Sequence, residues 1–371
     1  MKLKKIIPPF LVLLVVGCNS DDGNAPIPDE TIVSTANFIA IGQDLENVYQ
    51  YTFDGATKVG ERVNLTQDLS IARNYITLRE MDDLLSFYFF RGGAFSLIIK
   101  DLKTGDSVTY SDFFANSPER SVAWGTNNAS NVFLGFFGPF ETRNLGIQDV
   151  DLQNSMGQDI AIDADIDFVY QPVLFNDKVY FAYQDNRGDY KFTFYDTDFK
   201  VRGPILNFNT VPISFLISES GNIAIIKNGV EAALELYDPN TLGLVEAVPL
   251  MVNTAFAAGP VEDAVFDGDV LYYDFPYTQP SKLSSGPALF DTTTQENELV
   301  DLFGIVNNVE LELGEGIRVT TQRYDTTQDI FLLGYGMLDG SMAGGVLQIS
   351  KEGELVANIS TDFVPTYFVR N

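Results

Sequence analysis

The 371-residue chain contains no histidine and a single cysteine, Cys18. Without histidine there is no usual general base, no usual zinc or iron ligand, and no Ser-His-Asp or Cys-His catalytic arrangement. One cysteine permits neither an intrachain disulfide nor a cysteine-based zinc or iron–sulfur site. Cations are scarce as well: 23 Lys and Arg stand against 51 Asp and Glu, a net charge of −28. A surface of that sign repels nucleic acid and anionic membranes, so a nucleic-acid partner is excluded from the expectations. Carboxylates, Tyr, Lys and Arg remain for catalysis, as does a calcium-type site of oxygen ligands. Core-forming residues are plentiful, with 45% of positions hydrophobic and 13% aromatic.

Long apolar runs are missing too. Met1–Lys5 carries three lysines and precedes the apolar run Ile6–Val16, which Pro8 and Pro9 interrupt. That run is too short to span a bilayer and suits the apolar part of a secretion signal. Val15-Val16-Gly17-Cys18 then resembles the lipobox of bacterial lipoproteins. The resemblance implies cleavage before Cys18 and acylation of its sulfur and amino group, palmitate being one such acyl chain. Residues 1–17 are therefore expected to be a lipoprotein signal peptide, against the alternative of an ordinary signal with an incidental cysteine. Its removal leaves 20 cations against 51 acids, a charge near −31. Asn19-Ser20-Asp21-Asp22-Gly23 resembles the export signal of Bacteroidota lipoproteins displayed on the outer face of the outer membrane. Residues 18–35 also read as an acidic flexible tether, stiffened by Pro26 and Pro28.

From residue 36 onward the chain reads as short strands cut by Asn-Asp, Asp-Gly, Ser-Gly and Asn-Gly turns, with no amphipathic helix evident. One element recurs: a strand, an acidic turn, a second strand, as in "VYQYTFDGATKVGERV" (48–63) and "LELYDPNTLGLVEAV" (234–248). The turn residues Asp54, Asp101, Asp151, Asp196, Asp238, Asp291 and Ser350 lie 47, 50, 45, 42, 53 and 59 residues apart. A second hairpin falls between them, for example "VLFNDKVYFAYQD" (173–185) and "AVFDGDVLYYDF" (264–275). Two hairpins per repeat make a four-stranded unit, and seven units at this period make a β-propeller. The expected fold is thus all-β, a seven-bladed β-propeller of four-stranded blades over 36–371. Its first unit has room for only three strands. The C-terminal "VPTYFVRN" (364–371), similar to "VPISFLIS" (211–218), is expected to complete blade one and close the ring.

Ligands of propellers bind where the innermost strands begin. Aligning the units places Arg73, Arg120, Tyr170, Val211, Glu262, Arg318 and Val364 at or near those starts. Arg73, Arg120 and Arg318 on a common axis would hold an anion by bidentate hydrogen bonds, with Tyr75, Trp124 and Tyr170 as stacking surfaces. The competing reading pairs these arginines with neighbouring carboxylates such as Glu80, Glu119 and Glu315. Asp163, Asp165 and Asp167 in "DADID" are weak candidates for calcium, but Phe168 stands where an EF-hand loop needs glycine. A solvated acidic strand end explains them better. No cofactor is otherwise expected. "DGD" (267–269) reads as a hairpin turn. "GPFETRNLG" (138–146) and "GYGMLDGSMAGG" (334–345) read as loops, lacking the lysine and helix of a phosphate loop. Asp106-Ser107-Val108, Asp291-Thr292-Thr293 and Asp325-Thr326-Thr327 resemble the short O-glycosylation sequon of Bacteroidota, though turn chemistry suffices for each.

Lipobox, export signal and propeller together resemble the surface lipoproteins that accompany TonB-dependent outer-membrane transporters, some of which bind ferric siderophores. That resemblance implies a non-enzymatic protein at the cell surface that captures a small, anionic, siderophore-like ligand, with the membrane and the transporter as partners. A carboxylate- or calcium-dependent lactonase, lyase or glycosidase is the first alternative. The second is an adhesion or scaffold module, with apolar loops such as "FLGFFGPF" (133–140) as the contact.

Overall fold

The structure, a computed structural model, describes residues 34–371 apart from 116–118, 253–255 and 371. The signal peptide, Cys18 and nearly all of the tether lie outside the described residues. Seven antiparallel sheets follow one another along the chain. Their innermost strands are Val364–Phe368 for blade one, Thr77–Met81 for blade two and Ser121–Asn127 for blade three. Ile166–Val169 with Val173–Phe175 serves blade four, Ile213–Ile217 blade five, Val265–Asp267 blade six and Ile317–Asp325 blade seven. Blade four counts extra strands only because its inner and outer strands are each interrupted. Blade five gains Gly259–Pro260, a parallel pair with Ile213–Ile217.

The middle strands are apolar on both faces, as in "IAIIK" of Ile223–Lys227, because each blade is covered by a neighbour on either side. The outermost strands, such as Val59–Asn64 and Glu296–Leu299, face solvent. Seven hydrophobic clusters result, one in each gap between adjacent blades. Tyr88, Leu97, Val132 and Leu134 join blades two and three. Phe38, Phe53, Ile330 and Val346 join blade seven back to blade one. This last gap exists only because the ring closes. The C-terminal strand pairs with Phe38–Gln43 as the innermost strand of blade one, as expected from the sequence. Buried Gln348 of blade seven fastens the seam: its Oε1 accepts from the Ala36 N–H at 2.7 Å and its Nε2 donates to the Ala36 carbonyl at 2.8 Å.

Six of the repeated turns work as their acidic residue suggests. Asp54, Asp101, Asp151, Asp196, Asp238 and Asp291 each accept backbone N–H groups two or three residues on, which closes the hairpin locally. These hydrogen bonds hold the carboxyls of Asp54, Asp101 and Asp238 below the usual range. All of these turns, with those linking the two inner strands of each blade, lie on one face of the disc, here the lower face. The upper face carries the remaining connections.

The helices are a correction. α1 (Leu65–Leu69) is short, but α2 (Leu302–Leu313) runs 12 residues between blades six and seven. Asp301 caps it by accepting from the Gly304 N–H, and Gly314 ends it in the left-handed region. Leu302, Ile305, Val306 and Val309 form its buried stripe, packed on blades six and seven. This insertion explains why the last repeat is the longest.

Candidate functional site

Two concavities carry the candidate chemistry. The first is a cleft of about 510 Å³ on the upper face between blades two and three. Its walls begin with a hairpin: Arg91 pairs with Ala94 across Gly92 and Gly93, whose φ angles of 61° and 89° suit a tight turn. The turn sets Phe90 against Phe95, ring centroids 4.8 Å apart. Across the cleft, the register of Ser121–Asn127 slips between Val122 and Trp124, so Trp124 pairs with Gly135. Only glycine fits there, since a Cβ would come within 2.3 Å of the indole. Trp124 packs on Phe181 at 5.4 Å and is 4% exposed, yet its Nε1 is buried without a hydrogen-bond partner. The Tyr88 hydroxyl donates to Asn127 Oδ1 at 2.6 Å. Gln171, from the break in blade four's inner strand, closes the end nearest the axis.

Arg79 stands behind Gln171. It donates from Nε to the Gly125 carbonyl at 3.1 Å, hydrogen-bonds Gln171 Oε1, and faces Glu262 at 3.6 Å. Burial pushes the Arg79 pKa down, and Glu262 opposes that shift.

The second concavity is an axial cavity of about 570 Å³ on the lower face, lined from all seven blades. Glu80, Asp82, Asp83, Asp177, Glu219 and Asp325 give it an acidic wall, with Arg323 and Arg370 as the cations. Arg323 donates to the Phe368 carbonyl at 3.2 Å, and burial, then Arg370, lower its pKa. Glu80 receives the Tyr367 hydroxyl and the Arg370 backbone N–H, which pins the C-terminal strand to blade two. Ahead of blade six's innermost strand, burial and then Asp274 and Glu262 push Asp263 up to about 6. The residue is exposed there. Burial also raises Asp274, whose Oδ1 lacks a hydrogen-bond partner.

The residues singled out from sequence are dispersed. Arg73 donates to the Leu45 carbonyl at 2.6 Å on the exposed rim. Arg120 pairs with Asp159 and lies over the Phe136 ring. Arg318 is exposed at the start of blade seven's inner strand. None of the three lines either concavity, so they do not converge on an anion. Tyr75 packs edge-on to Phe87 in the gap between blades one and two. Tyr170 lies between Phe168 and Tyr190, and burial pushes its hydroxyl up to about 12. Trp124 belongs to the strand that borders the first cleft, but its ring is turned into the gap between blades three and four. Asp163 hydrogen-bonds Lys191 and Tyr183, and Asp167 pairs with Arg143. Asp163, Asp165 and Asp167 form no metal-ligating group; among the described residues no set of three or more such side chains converges. The segment 133–140 is mostly strand, with Phe133, Leu134 and Phe136 buried; Phe140 alone is strongly exposed.

Arg79, Arg323 and Gln171 were missed. They sit inside the inner strands or their breaks. An alignment on the lower-face turns, matching "REMDD" (79–83) with "RYDTT" (323–327), would have picked out both arginines.

No family model and no curated protein matches the chain. Solved structures are similar in fold. The β-propeller domain of the Trilobed protease from Pyrococcus furiosus is 10% identical, with a TM-score of 0.50 over 87% of this chain and 94% of that one. Puromycin hydrolase in its S511A form is 10% identical, with a TM-score of 0.52 over 89% of this chain and 55% of its own, so this chain spans about half of that protein's length. The first is described as having an open velcro topology, whereas here a strand from the C-terminus seals blade one. At such identities the likeness shows one thing: the chain folds as a seven-bladed β-propeller.

Proposed function

We propose that this protein is a lipid-anchored propeller on the outer face of the outer membrane that captures a small ligand for a TonB-dependent transporter. Cys18 is the anchor and Ser20-Asp21-Asp22 the export signal in this reading. The observation that carries it is the upper-face cleft: its volume, aromatic walls and few polar groups suit a small-molecule site. Neither histidine nor an activated nucleophile accompanies it, which favours binding over catalysis. The arginines that suggested an anionic siderophore lie outside the cleft, so the ligand's charge is argued from the cleft itself.

Four measurements test the reading. Cys18→Ala is expected to release the protein from the membrane fraction, and protease added to intact cells is expected to digest the wild-type propeller. Co-purification with a transporter, and saturable binding by the wild type in titrations with ferric and apo siderophores and with uncharged aromatic compounds, are the expected outcomes. Binding of none of these would sink the capture reading. A second reading, carboxylate acid–base catalysis at the axis, is favoured by Asp263, which keeps its proton up to about pH 6 beside Asp274 and Glu262. Hydrolysis of aryl glycosides or lactones, abolished by Asp263→Asn, would support it; inert substrates dismiss it.

A further inference from the structure

We infer that the axial cavity of the lower face binds a small basic zwitterion of dipeptide size, with its carboxylate at Arg323 and Arg370 and its ammonium groups at the acidic rim. The site lies on the face opposite the capture cleft and does not depend on that reading.

The cations come first. Arg323 stands in blade seven's inner strand, Arg370 follows blade one's, and both line the cavity. They are close enough that the charge of Arg370, after burial, lowers the Arg323 pKa. Of its five N–H donors, Arg323 uses one, on the Phe368 carbonyl at 3.2 Å. Glu80 is near, but its oxygens already accept from the Tyr367 hydroxyl and the Arg370 backbone N–H. Among the described residues, neither guanidinium forms an ion pair with a carboxylate. In a chain with 51 acids and 23 cations, that is an unusual vacancy. Two guanidiniums brought together repel each other, and a carboxylate accepting from both relieves the repulsion.

The rim has the opposite sign. Met81 pairs with Leu84 and Phe175 with Lys178, so Asp82-Asp83 and Asn176-Asp177 are two-residue turns at the lower mouth. Glu219 stands in the matching turn of blade five, between Ile213–Ile217 and Ile223–Lys227. All four acids are exposed, line the cavity and, among the described residues, form no ion pair. Left-handed backbone at Asp82 (φ 48°) and Asp177 (φ 55°) accounts for aspartate at those two positions. It does not account for Asp83 or Glu219.

Counted with Glu80 and Asp325, six carboxylates stand against two guanidiniums, an excess of four negative charges. That excess repels a plain anion, whereas a plain polyamine leaves the arginines unmet. A ligand with one carboxylate and two or more ammonium groups satisfies both ends. A cavity of about 570 Å³ has room for one of dipeptide size.

Calorimetric titration of the full mature protein at low salt uses three probes: lysyl-lysine, its C-terminal amide, and glutamyl-glutamate. Lysyl-lysine is expected to bind saturably and glutamyl-glutamate not to bind. The amide should bind at least about tenfold more weakly than the acid, although it carries more positive charge. Arg370→Gln, at an exposed position, should weaken lysyl-lysine about tenfold and leave the amide unchanged. Asp83→Asn combined with Glu219→Gln should weaken both lysine peptides alike, with the circular dichroism of the wild type retained.

Failure of lysyl-lysine to bind, an amide that binds as tightly as the acid, or an Arg370→Gln protein that still prefers the acid would overturn the assignment. So would a protein with both rim acids replaced that binds as the wild type does. None of these outcomes bears on the upper-face cleft, which is read by its own titrations.

Discussion

The two faces of the disc are built differently. On the lower face, six strand-to-strand turns are each closed by their own aspartate, and the loops are short. The upper face carries the longer connections, including both helices, and exposes Leu45, Phe140, Val230, Met251, Leu311 and Leu338. Met156 and Phe199 are the exposed apolar residues in the lower turns. Lower-face turns thus specify the blades locally, whereas the upper face is free to vary and holds the apolar cleft. Exposed apolar side chains in loops that the fold does not need are a mark of contact surfaces.

The largest effect is expected behind the upper-face cleft, on the far side of blade three. Trp124→Ala removes a buried ring that fills the gap between blades three and four, and should cost about 3–5 kcal/mol in urea unfolding followed by circular dichroism. A value near zero would mean that the indole faces a preformed cavity rather than the core. Next comes the seam, reached from the lower side. Gln348→Leu leaves the Ala36 N–H and carbonyl unpaired in the interior, at a cost of about 2–3 kcal/mol. The same substitution should speed unfolding more than any single turn substitution does, since it loosens the segment that leads into Phe38–Gln43, the strand whose pairing with the C-terminal strand closes the ring.

Acid titration separates the turns from the axis by sign. Asp54, Asp101 and Asp238 have depressed pKa values when folded, so their contribution is present above the unfolded value of 3.8 and is lost as pH falls through the folded values. Asp263 is the opposite: its folded value of about 6 lies above 3.8, so its contribution is complete below 3.8 and is lost as pH rises through about 6. Together they place the maximum melting temperature between those two values. Asp263→Asn should raise the melting temperature at pH 7 by roughly 1–2 °C and flatten the neutral side of the profile. Alanine at the three turn aspartates should flatten the acidic side instead. A profile that declines steadily from pH 7 would show that the axis adds nothing.

The same contrast explains what could be read in advance. The period of the blades was legible because Asp54, Asp101, Asp151, Asp196, Asp238 and Asp291 act within three residues of themselves, and a local hydrogen bond leaves a local signature. Ring closure was legible because blade one lacked a strand that the C-terminus could supply. α2 carried its signal too, an aspartate cap, a stripe at 302, 305, 306 and 309, and a terminal glycine, but a β-only expectation passed over it. The site was harder. Arg73, Arg120 and Arg318 stand near the expected starts, yet where a side chain points depends on register slips and neighbours from other blades. The slip beside Trp124 and the glycine opposite it turn that ring away from the cleft and into the gap between blades three and four. Gln171 reaches Arg79 across 92 residues of sequence, a relation that repeat spacing does not encode.

The smallest effect is the most discriminating for the two faces. Phe140 on the upper face and Phe199 on the lower are 70% and 79% exposed, so serine at either should change stability by no more than about 0.5 kcal/mol. If both faces were merely solvated, the two variants would be interchangeable in every assay. With the upper face as the contact surface, Phe140→Ser should reduce co-purification of a transporter while Phe199→Ser leaves it intact, because a buried aromatic anchor carries far more binding energy than a rim residue. Equal losses would move the contact to the edge of the disc. A loss confined to Phe199→Ser would turn the molecule over, presenting the acidic axial cavity to the partner and leaving the aromatic cleft open to solvent.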